Sequence, residues 1–152
     1  MNIVLFEPEI PVNTGNIGRT CVAAGAKLHL IRPLGFFIDD KSLKRAGMDY
    51  WHALDVRVYD NFDDFLARNN NPQIFMVETR TEKSYTDVSY SPDDFIMFGK
   101  ETTGIPAEIL EKYKSTTVRI PMLAGTRSLN LSNAAAIVLF EALRQNGFTG
   151  LE

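Results

Sequence analysis

The sequence predicts an α/β fold in which a mainly parallel sheet is flanked by helices. Two observations predict it: short apolar runs typical of buried strands, and segments of helical spacing that alternate with those runs. Strands that alternate with helices form parallel sheets, because each helix returns the chain to the same end of the sheet. The length of 152 residues fits a single domain, residues 1–152.

Six apolar runs are predicted as strands. They cover residues 2–6, 27–33, 57–59, 73–78, 94–98 and 117–121. After the first run, residues 7–18 contain two prolines and two glycines and are predicted as a loop. Helical spacing follows in Ile17, Cys21 and Ala24, and Gly25 is expected to end that helix.

Four further helices are predicted from capping residues and spacing. They cover residues 39–46, 62–67, 106–113 and 126–145. Asn61 is expected to cap the second of these, and Pro106 suits the first turn of the third. The last helix has one apolar face, with Ile137 and Phe140 lying off it. A helix that is apolar on more than one side must be covered on more than one side.

Composition and charge limit the classes of function. A net charge of −3 argues against a broad basic surface, although not against a local basic patch. No apolar run is long enough to span a bilayer and no signal peptide is recognisable, so we expect a cytoplasmic protein with no membrane partner. The single cysteine, Cys21, excludes a disulfide framework, and His29 in a predicted strand is expected to be a packed core histidine.

Three loops that follow predicted strands are candidate ligand sites, because open α/β sheets bind ligands at the carboxyl ends of their strands. The first loop, residues 13–19, lacks the glycine spacing of a dinucleotide fingerprint, and is either a simple turn or part of a site. Arg19 would lie in the first turn of the following helix, where a cation opposes the helix dipole. This unfavourable position hints at a functional partner.

The second loop, residues 98–106, has glycines at the separation found in a P-loop. Ile105 and Pro106 stand where a P-loop requires lysine and serine or threonine, so phosphate binding of that kind is excluded. Gly99 directly follows a predicted strand and would let a ligand approach the backbone closely. Glu101 supplies an acid there. The third loop, residues 120–128, leads into a polar cluster at the start of the last helix, where a ligand could bind.

Together these segments resemble the motifs of a known enzyme family. The three segments are PVNTGNIGRTC at 11–21, FGKETTGIP at 98–106, and IPM followed by RSLNLSN at 120–122 and 127–133. They resemble the three motifs of the SPOUT RNA 2′-O-methyltransferases, and most of all those of the small tRNA enzymes that modify the wobble nucleotide. The resemblance extends over essentially the whole chain.

The resemblance implies a fold, a cofactor and an assembly. The family's C-terminal segment is threaded through a loop to form a deep trefoil knot, an exception to the rule that chains avoid knots. Its members bind S-adenosylmethionine, release S-adenosylhomocysteine and form homodimers. Transferred position by position, the cofactor contacts would be Val77, Gly99, Ile120, Ser128 and Leu129. The family's catalytic or RNA-facing positions would be Arg19, Glu101 and Asn130.

The implied reaction is methylation of the ribose 2′-hydroxyl of the wobble nucleotide of tRNA, either cytidine or a modified uridine. The methyl group of the cofactor is already electrophilic, so no metal is expected. The hydroxyl must be aligned with the methyl and lose its proton. Arg19 could stabilise the developing oxyanion or grip a neighbouring phosphate, and the sequence leaves both roles open.

The partners follow from the same resemblance. Because the chain is acidic overall, tRNA must be held by local cations. The candidates are Lys41, Lys44, Arg45 and Arg127, although the first three could simply complement the end of a helix. A homodimer is expected to form through residues 17–24 and the C-terminal helix.

Two alternatives remain beside this function. The first is 2′-O-methylation of another tRNA or rRNA site. The second is a non-catalytic RNA scaffold that binds the cofactor without turnover, against which the presence of Arg19, Glu101 and Asn130 argues.

Overall fold

A six-stranded sheet forms the centre of the fold. The computed structural model describes residues 1–38 and 49–152. Its strands are β1 (Asn2–Phe6), β2 (Lys27–Ile31), β3 (Val56–Tyr59), β4 (Ile74–Val77), β5 (Phe95–Phe98) and β6 (Thr117–Val118). Their order across the sheet is β3-β2-β1-β5-β4-β6, and every pairing is parallel. The predicted parallel sheet is confirmed.

The described helices cover both faces of this sheet. They are α1 (Pro11–Ala24), α2 (Phe62–Arg68), α3 (Ala107–Lys112) and α4 (Leu131–Gln145), with short 3-10 segments at Asp49–Ala53 and Lys114–Thr116. The helix predicted over residues 39–46 lies outside the described residues. Among the helices that are described, none is long and apolar enough to cross a membrane.

Side chains that alternate along the strands pack into two cores. On one face, Ile3 and Leu5 of β1 pack with residues of α1 and α4. On the other face, Val4 and Phe6 pack with residues of α2 and α3. All five residues of β1 are buried, as expected of a strand in a parallel sheet whose two faces are both covered.

Helix α1 begins earlier than the sequence predicted. It starts at Pro11, so residues 11–16 are helical and the prediction of a loop over residues 7–18 was wrong for them. The glycines that suggested a loop instead allow close packing. A Cβ atom on Gly18 would lie 3.1 Å from Leu54 and 3.3 Å from Trp51. Arg19 is therefore in about the third turn of α1, not the first, and the argument from an opposed dipole does not apply.

Two predicted helix ends, at Gly25 and Asn61, agree with the structure, whereas the last helix starts at Leu131 and not at residue 126. Gly25 adopts a left-handed conformation, with φ of 63°, just after α1. The amide of Gly25 donates to Val22 and that of Ala26 donates to Cys21, a pattern that closes a helix at its carboxyl end. Asn61 accepts a 2.9 Å hydrogen bond from the amide of Asp64 and so caps α2.

Strand β6 is shorter than predicted because its chain changes partners. It ends at Val118, whereas the apolar run suggested a strand to residue 121. Arg119 pairs with Ser84 rather than continuing along β4. Its amide donates to Lys83 at 2.9 Å, and its carbonyl accepts from the amide of Tyr85 at 2.8 Å. These bonds fix the path by which the chain reaches the third motif.

His29 is a core histidine, as the sequence predicted. Its side chain is 1% exposed and contacts the Tyr59 hydroxyl at 2.8 Å and Asn2 Oδ1 at 3.2 Å. Burial lowers the pKa of His29 to about 4, because the charged imidazolium would lose its hydration.

Acid should therefore destabilise the fold through His29. Between pH 6.5 and pH 4 the unfolded chain binds a proton that the folded chain excludes, so the stabilisation is complete above pH 6.5 and is lost as the pH falls. The expected loss between pH 7 and pH 4 is up to about 3 kcal/mol. Urea denaturation of His29→Gln should show a shallower dependence on pH in this range. His52→Gln, which alters an exposed histidine, is the control, and equal slopes for wild type and His29→Gln would contradict the assignment.

Candidate active site at the carboxyl edge of the sheet

A cleft of about 1130 Å³ lies at the carboxyl ends of β4, β5 and β6. Its walls are the segments that follow these strands, together with the start of α4. They comprise residues 77–80, 98–107, 120, 122 and 128–131, with Ile10, Asn13 and Ala134 at the side. Parallel strands place their carboxyl ends along one edge, so loops far apart in sequence meet there.

All five proposed cofactor contacts line this one cleft. They are Val77, Gly99, Ile120, Ser128 and Leu129. Val77 ends β4 and Gly99 follows β5, whereas the other three lie between β6 and α4. The cleft thus combines apolar side chains with backbone and hydroxyl groups, a mixture suited to a flat apolar ring system that carries polar substituents.

Gly99 is small for a reason that the sequence did not reveal. A Cβ atom on Gly99 would lie 2.2 Å from the Gly104 carbonyl carbon and 2.4 Å from the Ile105 nitrogen. The loop closes tightly on itself, and the amides of Lys100 and Gly104 donate to each other's carbonyls at 3.2 and 3.0 Å. Gly99 is therefore required by its own loop. A valine at this position would therefore force the loop to move.

The carboxylate of Glu101 joins the loop after β5 to the start of α1. It accepts hydrogen bonds from the amide of Glu9 at 2.9 Å, the amide of Ile10 at 3.2 Å and the side-chain amide of Asn13 at 3.1 Å. The amides near a helix start have no partners within the helix, and a carboxylate there also interacts favourably with the dipole. Glu101 thus holds α1 in place against the cleft.

Asn13 extends this connection to the third motif. Its Oδ1 accepts a 3.0 Å hydrogen bond from the side-chain amide of Asn130. Asn130 in turn caps α4, because its Oδ1 accepts from the amide of Ser132 at 2.9 Å and from the Ser132 hydroxyl at 2.6 Å. Asn13 was not among the predicted site residues. An asparagine within a segment predicted as a loop gives no signal that it joins a remote carboxylate, that of Glu101, to a remote side-chain amide, that of Asn130.

A second set of contacts uses the charged groups beside Glu101. The Glu9 carboxylate accepts from the Thr102 amide at 3.0 Å and from its hydroxyl at 2.7 Å, and these hydrogen bonds lower the pKa of Glu9. Lys100 forms a 2.5 Å ion pair with Glu7, which raises the pKa of Lys100. The lysine at the cleft is therefore already neutralised by a carboxylate.

Arg19 lies apart from the other two catalytic candidates. Glu101 and Asn130 line the cleft, whereas Arg19 is exposed on α1, about 9 Å further along the helix axis than Asn13. Its guanidinium lies over the ring of Tyr50, 5.9 Å from the ring centroid. The Tyr50 hydroxyl donates to the carbonyl of Gly15 on the same helix. The exposed guanidinium is thus held over an anchored aromatic ring.

The proposed RNA contacts are only partly described. Lys41, Lys44 and Arg45 lie outside the described residues. Arg127 is exposed in the segment before α4, directly preceding Ser128 of the cleft. Within residues 1–38 and 49–152, no group of three or more His, Cys, Asp or Glu side chains is arranged to hold a metal ion.

Comparison with known families accounts for this arrangement of motifs. The model of the SpoU rRNA Methylase family matches residues 1–140. The chain belongs to this family. The resemblance to SPOUT RNA methyltransferases seen in three sequence motifs is therefore confirmed.

Individual relatives of this SpoU chain match it over nearly its whole length. The tRNA (cytidine(34)-2′-O)-methyltransferase of Saccharophagus degradans is 50% identical over 150 residues, which are 98% of this chain and 97% of the relative. A solved structure from work on the 2-OH methylation of C/U34 on tRNA has a TM-score of 0.89 and 42% identity, and the match covers 96% of this chain and 95% of that one.

A solved structure of lower similarity contains the cofactor. The AdoMet-bound rRNA methyltransferase of Sinorhizobium meliloti has a TM-score of 0.80 and 31% identity. The match covers 94% of this chain and 55% of that one.

Removing the charge of Glu101 should destabilise this SpoU chain. Glu101→Gln replaces one acceptor oxygen by an NH2 group, so at least one of the three hydrogen bonds is lost and two donors then face each other. This should lower the free energy of unfolding by about 1–3 kcal/mol. Urea denaturation measures the change. Glu111→Gln, at an exposed position on α3, is the control and should be nearly neutral. Equal stability of the two variants would show that the carboxylate does not hold α1.

Proposed function

We propose that the chain transfers a methyl group from S-adenosylmethionine to the ribose 2′-hydroxyl of the wobble nucleotide of tRNA. The observation that carries this proposal is the cleft built from the three motifs, in a chain whose full-length relatives are named for that reaction. The described cleft has the volume and the mixed polarity that a nucleoside-sized ligand requires. A tRNA substrate would also place the reaction in the cytoplasm.

The cofactor would be held by residues of the second and third motif loops. Val77, Ile120 and Leu129 supply apolar contacts for the adenine ring, and Leu129 is still 39% exposed. The backbone around Gly99 and the Ser128 hydroxyl supply polar contacts. Bound there, the cofactor would supply a methyl group that is already electrophilic, so the proposed reaction requires no metal ion.

The three candidate catalytic residues receive different roles. Asn130 lies in the cleft and can orient the ribose, while Glu101 positions α1 and Asn13 through its hydrogen bonds. Arg19 is exposed on α1 and held over Tyr50, a position better suited to a phosphate of the tRNA than to an oxyanion within the cleft. Arg127, which is exposed and directly precedes Ser128 of the cleft, is a second candidate for a phosphate contact. The role of Lys41, Lys44 and Arg45 stays a prediction.

An rRNA substrate is the alternative that a specific observation favours. The matching family is named for rRNA methylation, and the similar structure with bound cofactor is that of an rRNA methyltransferase. The full-length relatives named for tRNA are more similar to this chain, and we therefore place tRNA first.

A trefoil knot at the C-terminal end is also part of the proposal. The exchange of partners at Arg119 carries the chain from β6 past residues 83–85, and α4 then packs back on α1 and β5. Such a path is compatible with threading of the C-terminal segment, and it would explain why the cleft is walled by residues on both sides of β6.

A homodimer through α4 is supported by the apolar side chains that remain exposed. Ile137 and Phe140 are 37% and 44% exposed on the face of α4 that points away from the core. In α1, however, the predicted contact residues Ile17, Cys21 and Ala24 are buried within the chain. The part of α1 available to a partner is its start, where Val12 is 63% exposed beside Ile10.

Disrupting this surface should produce monomers. Phe140→Glu places a charge where we expect an apolar contact, and should shift sedimentation from dimer to monomer at micromolar concentration. Phe37→Glu, which alters an equally apolar but separate exposed residue, should leave the dimer intact. A wild-type protein that sediments as a monomer would contradict the proposed assembly.

Methyl transfer is tested with labelled S-adenosylmethionine and total tRNA that lacks wobble modification. The wild type should label tRNA and not rRNA. Arg19→Ala should lower kcat/KM for tRNA by about tenfold or more, because a phosphate contact is lost, while cofactor affinity by calorimetry stays unchanged. The matched control is Arg57→Ala on strand β3, which breaks an exposed salt bridge between Arg57 and Asp55.

Three other outcomes would count against the proposal. Labelling of rRNA alone would favour the alternative substrate, and cofactor binding without any labelling would favour a non-catalytic scaffold. A loss of cofactor affinity in Arg19→Ala would place this residue at the cofactor instead of at the RNA.

A further inference from the structure

Glu78 lines the cleft and, among the described residues, has one carboxylate oxygen without a hydrogen bond. It follows β4 directly and lines the cleft beside Val77. Its Oε1 accepts from the amide of Thr79 at 2.6 Å and from the Thr79 hydroxyl at 3.0 Å. Its Oε2 accepts no hydrogen bond from any residue in the part of the chain that the structure describes. One oxygen is thus fixed by the protein, and the other is available.

Gly104, in the loop after β5, leaves space for this carboxylate. Gly104 has a φ of 71°, and a Cβ atom there would lie 2.6 Å from Glu78 Oε2. A residue with a side chain would therefore collide with the carboxylate as well as adopt a strained backbone. Gly104 allows the Glu78 side chain to lie where the loops after β4 and β5 meet.

The negative charge of Glu78 is not balanced by an ion pair. Among residues 1–38 and 49–152, none of the salt bridges includes Glu78, and none includes Arg80, an exposed cation that also lines the cleft. Lys100 in the same cleft is occupied by Glu7, and the other acid of the cleft, Glu101, already accepts three hydrogen bonds. Glu78 is half-buried, so its field is screened less than that of a fully exposed carboxylate.

We propose that Glu78 selects the charge state of the cofactor, favouring the cationic methyl donor over its neutral product. This inference rests on the proposed function. S-adenosylmethionine carries a sulfonium, an ammonium and a carboxylate, and therefore has one net positive charge. When the methyl leaves, the electron pair of the broken carbon–sulfur bond stays on sulfur, and the product S-adenosylhomocysteine has no net charge.

This selection would assist turnover. A carboxylate in this partly solvated cleft attracts the sulfonium of the donor and loses that attraction once the sulfonium has become a thioether. The product would then bind less tightly than the donor, which limits inhibition by S-adenosylhomocysteine. For charges several ångströms apart in a partly solvated site, the preference should be about threefold to tenfold.

Calorimetric titration of the wild type and Glu78→Gln tests the proposal. The ligands are S-adenosylmethionine, S-adenosylhomocysteine and sinefungin, an analogue with a cationic amine in place of the sulfonium. Glutamine keeps the shape and one acceptor oxygen for Thr79 but removes the charge. We expect Glu78→Gln to weaken binding of both cationic ligands by about threefold to tenfold relative to S-adenosylhomocysteine.

Two further variants control the experiment. Glu82→Gln alters an exposed acid in the same loop that does not line the cleft, and should leave the three affinities unchanged. Glu78→Asp retains the charge on a shorter side chain and should keep most of the preference for cations. This variant therefore separates the effect of the charge from any loss of stability that Glu78→Gln shows as a lower melting temperature.

The outcomes separate this inference from the proposed function. An unchanged ratio of cationic to neutral affinities in Glu78→Gln, or equal weakening of all three ligands, would overturn it and leave Glu78 as a residue that merely orders Thr79. A wild type that binds none of the three ligands would instead refute the cofactor site itself.

Discussion

The carboxylate of Glu101 is the interaction on which the site depends. It connects the loop after β5 to the backbone before α1 and to Asn13, a residue 88 positions away in sequence. Asn13 then reaches Asn130, which is 117 positions further along the chain. Three segments that share no local structure are thus held by side-chain amides and one carboxylate. Such a hydrogen-bond network stabilises the site only when every member has its partner, so a substitution in one motif leaves groups in the other two motifs without partners.

The parallel sheet explains why these groups meet at all. The strand order reverses between β1 and β5, and the cleft lies at the carboxyl edge of the half that contains β5, β4 and β6. The strand cores are buried on both faces and leave little freedom for functional groups. Chemistry is therefore confined to the loops, which the Glu101 network then orders.

Much of this could be predicted from local sequence. The strands, the caps at Gly25 and Asn61, and the grouping of five cofactor candidates in one cleft follow from apolar runs, capping residues and motif resemblance. These features depend on nearest neighbours or on the rule for parallel strands, and so a single sequence contains them.

The remainder depends on contacts between distant residues. Gly18 suggested a loop because its packing against Trp51 is invisible in sequence, and the need for glycine at position 99 comes from the backbone of its own loop. Asn13 and the free oxygen of Glu78 were missed for the same reason. In each case the role of the residue depends on a partner that is distant in sequence, and only the structure shows where that partner lies.

The central claim is that the ribose of the wobble nucleotide receives the methyl group, and the backbone chemistry of RNA tests it directly. A ribose 2′-O-methyl cannot attack the adjacent phosphodiester, so partial alkaline hydrolysis of end-labelled tRNA should lose one band after treatment with enzyme and S-adenosylmethionine. The account predicts that the missing band follows the wobble nucleotide and is restored when Asn130→Ala replaces the wild type. A complete ladder after wild-type treatment, or a gap at another nucleotide, would contradict it.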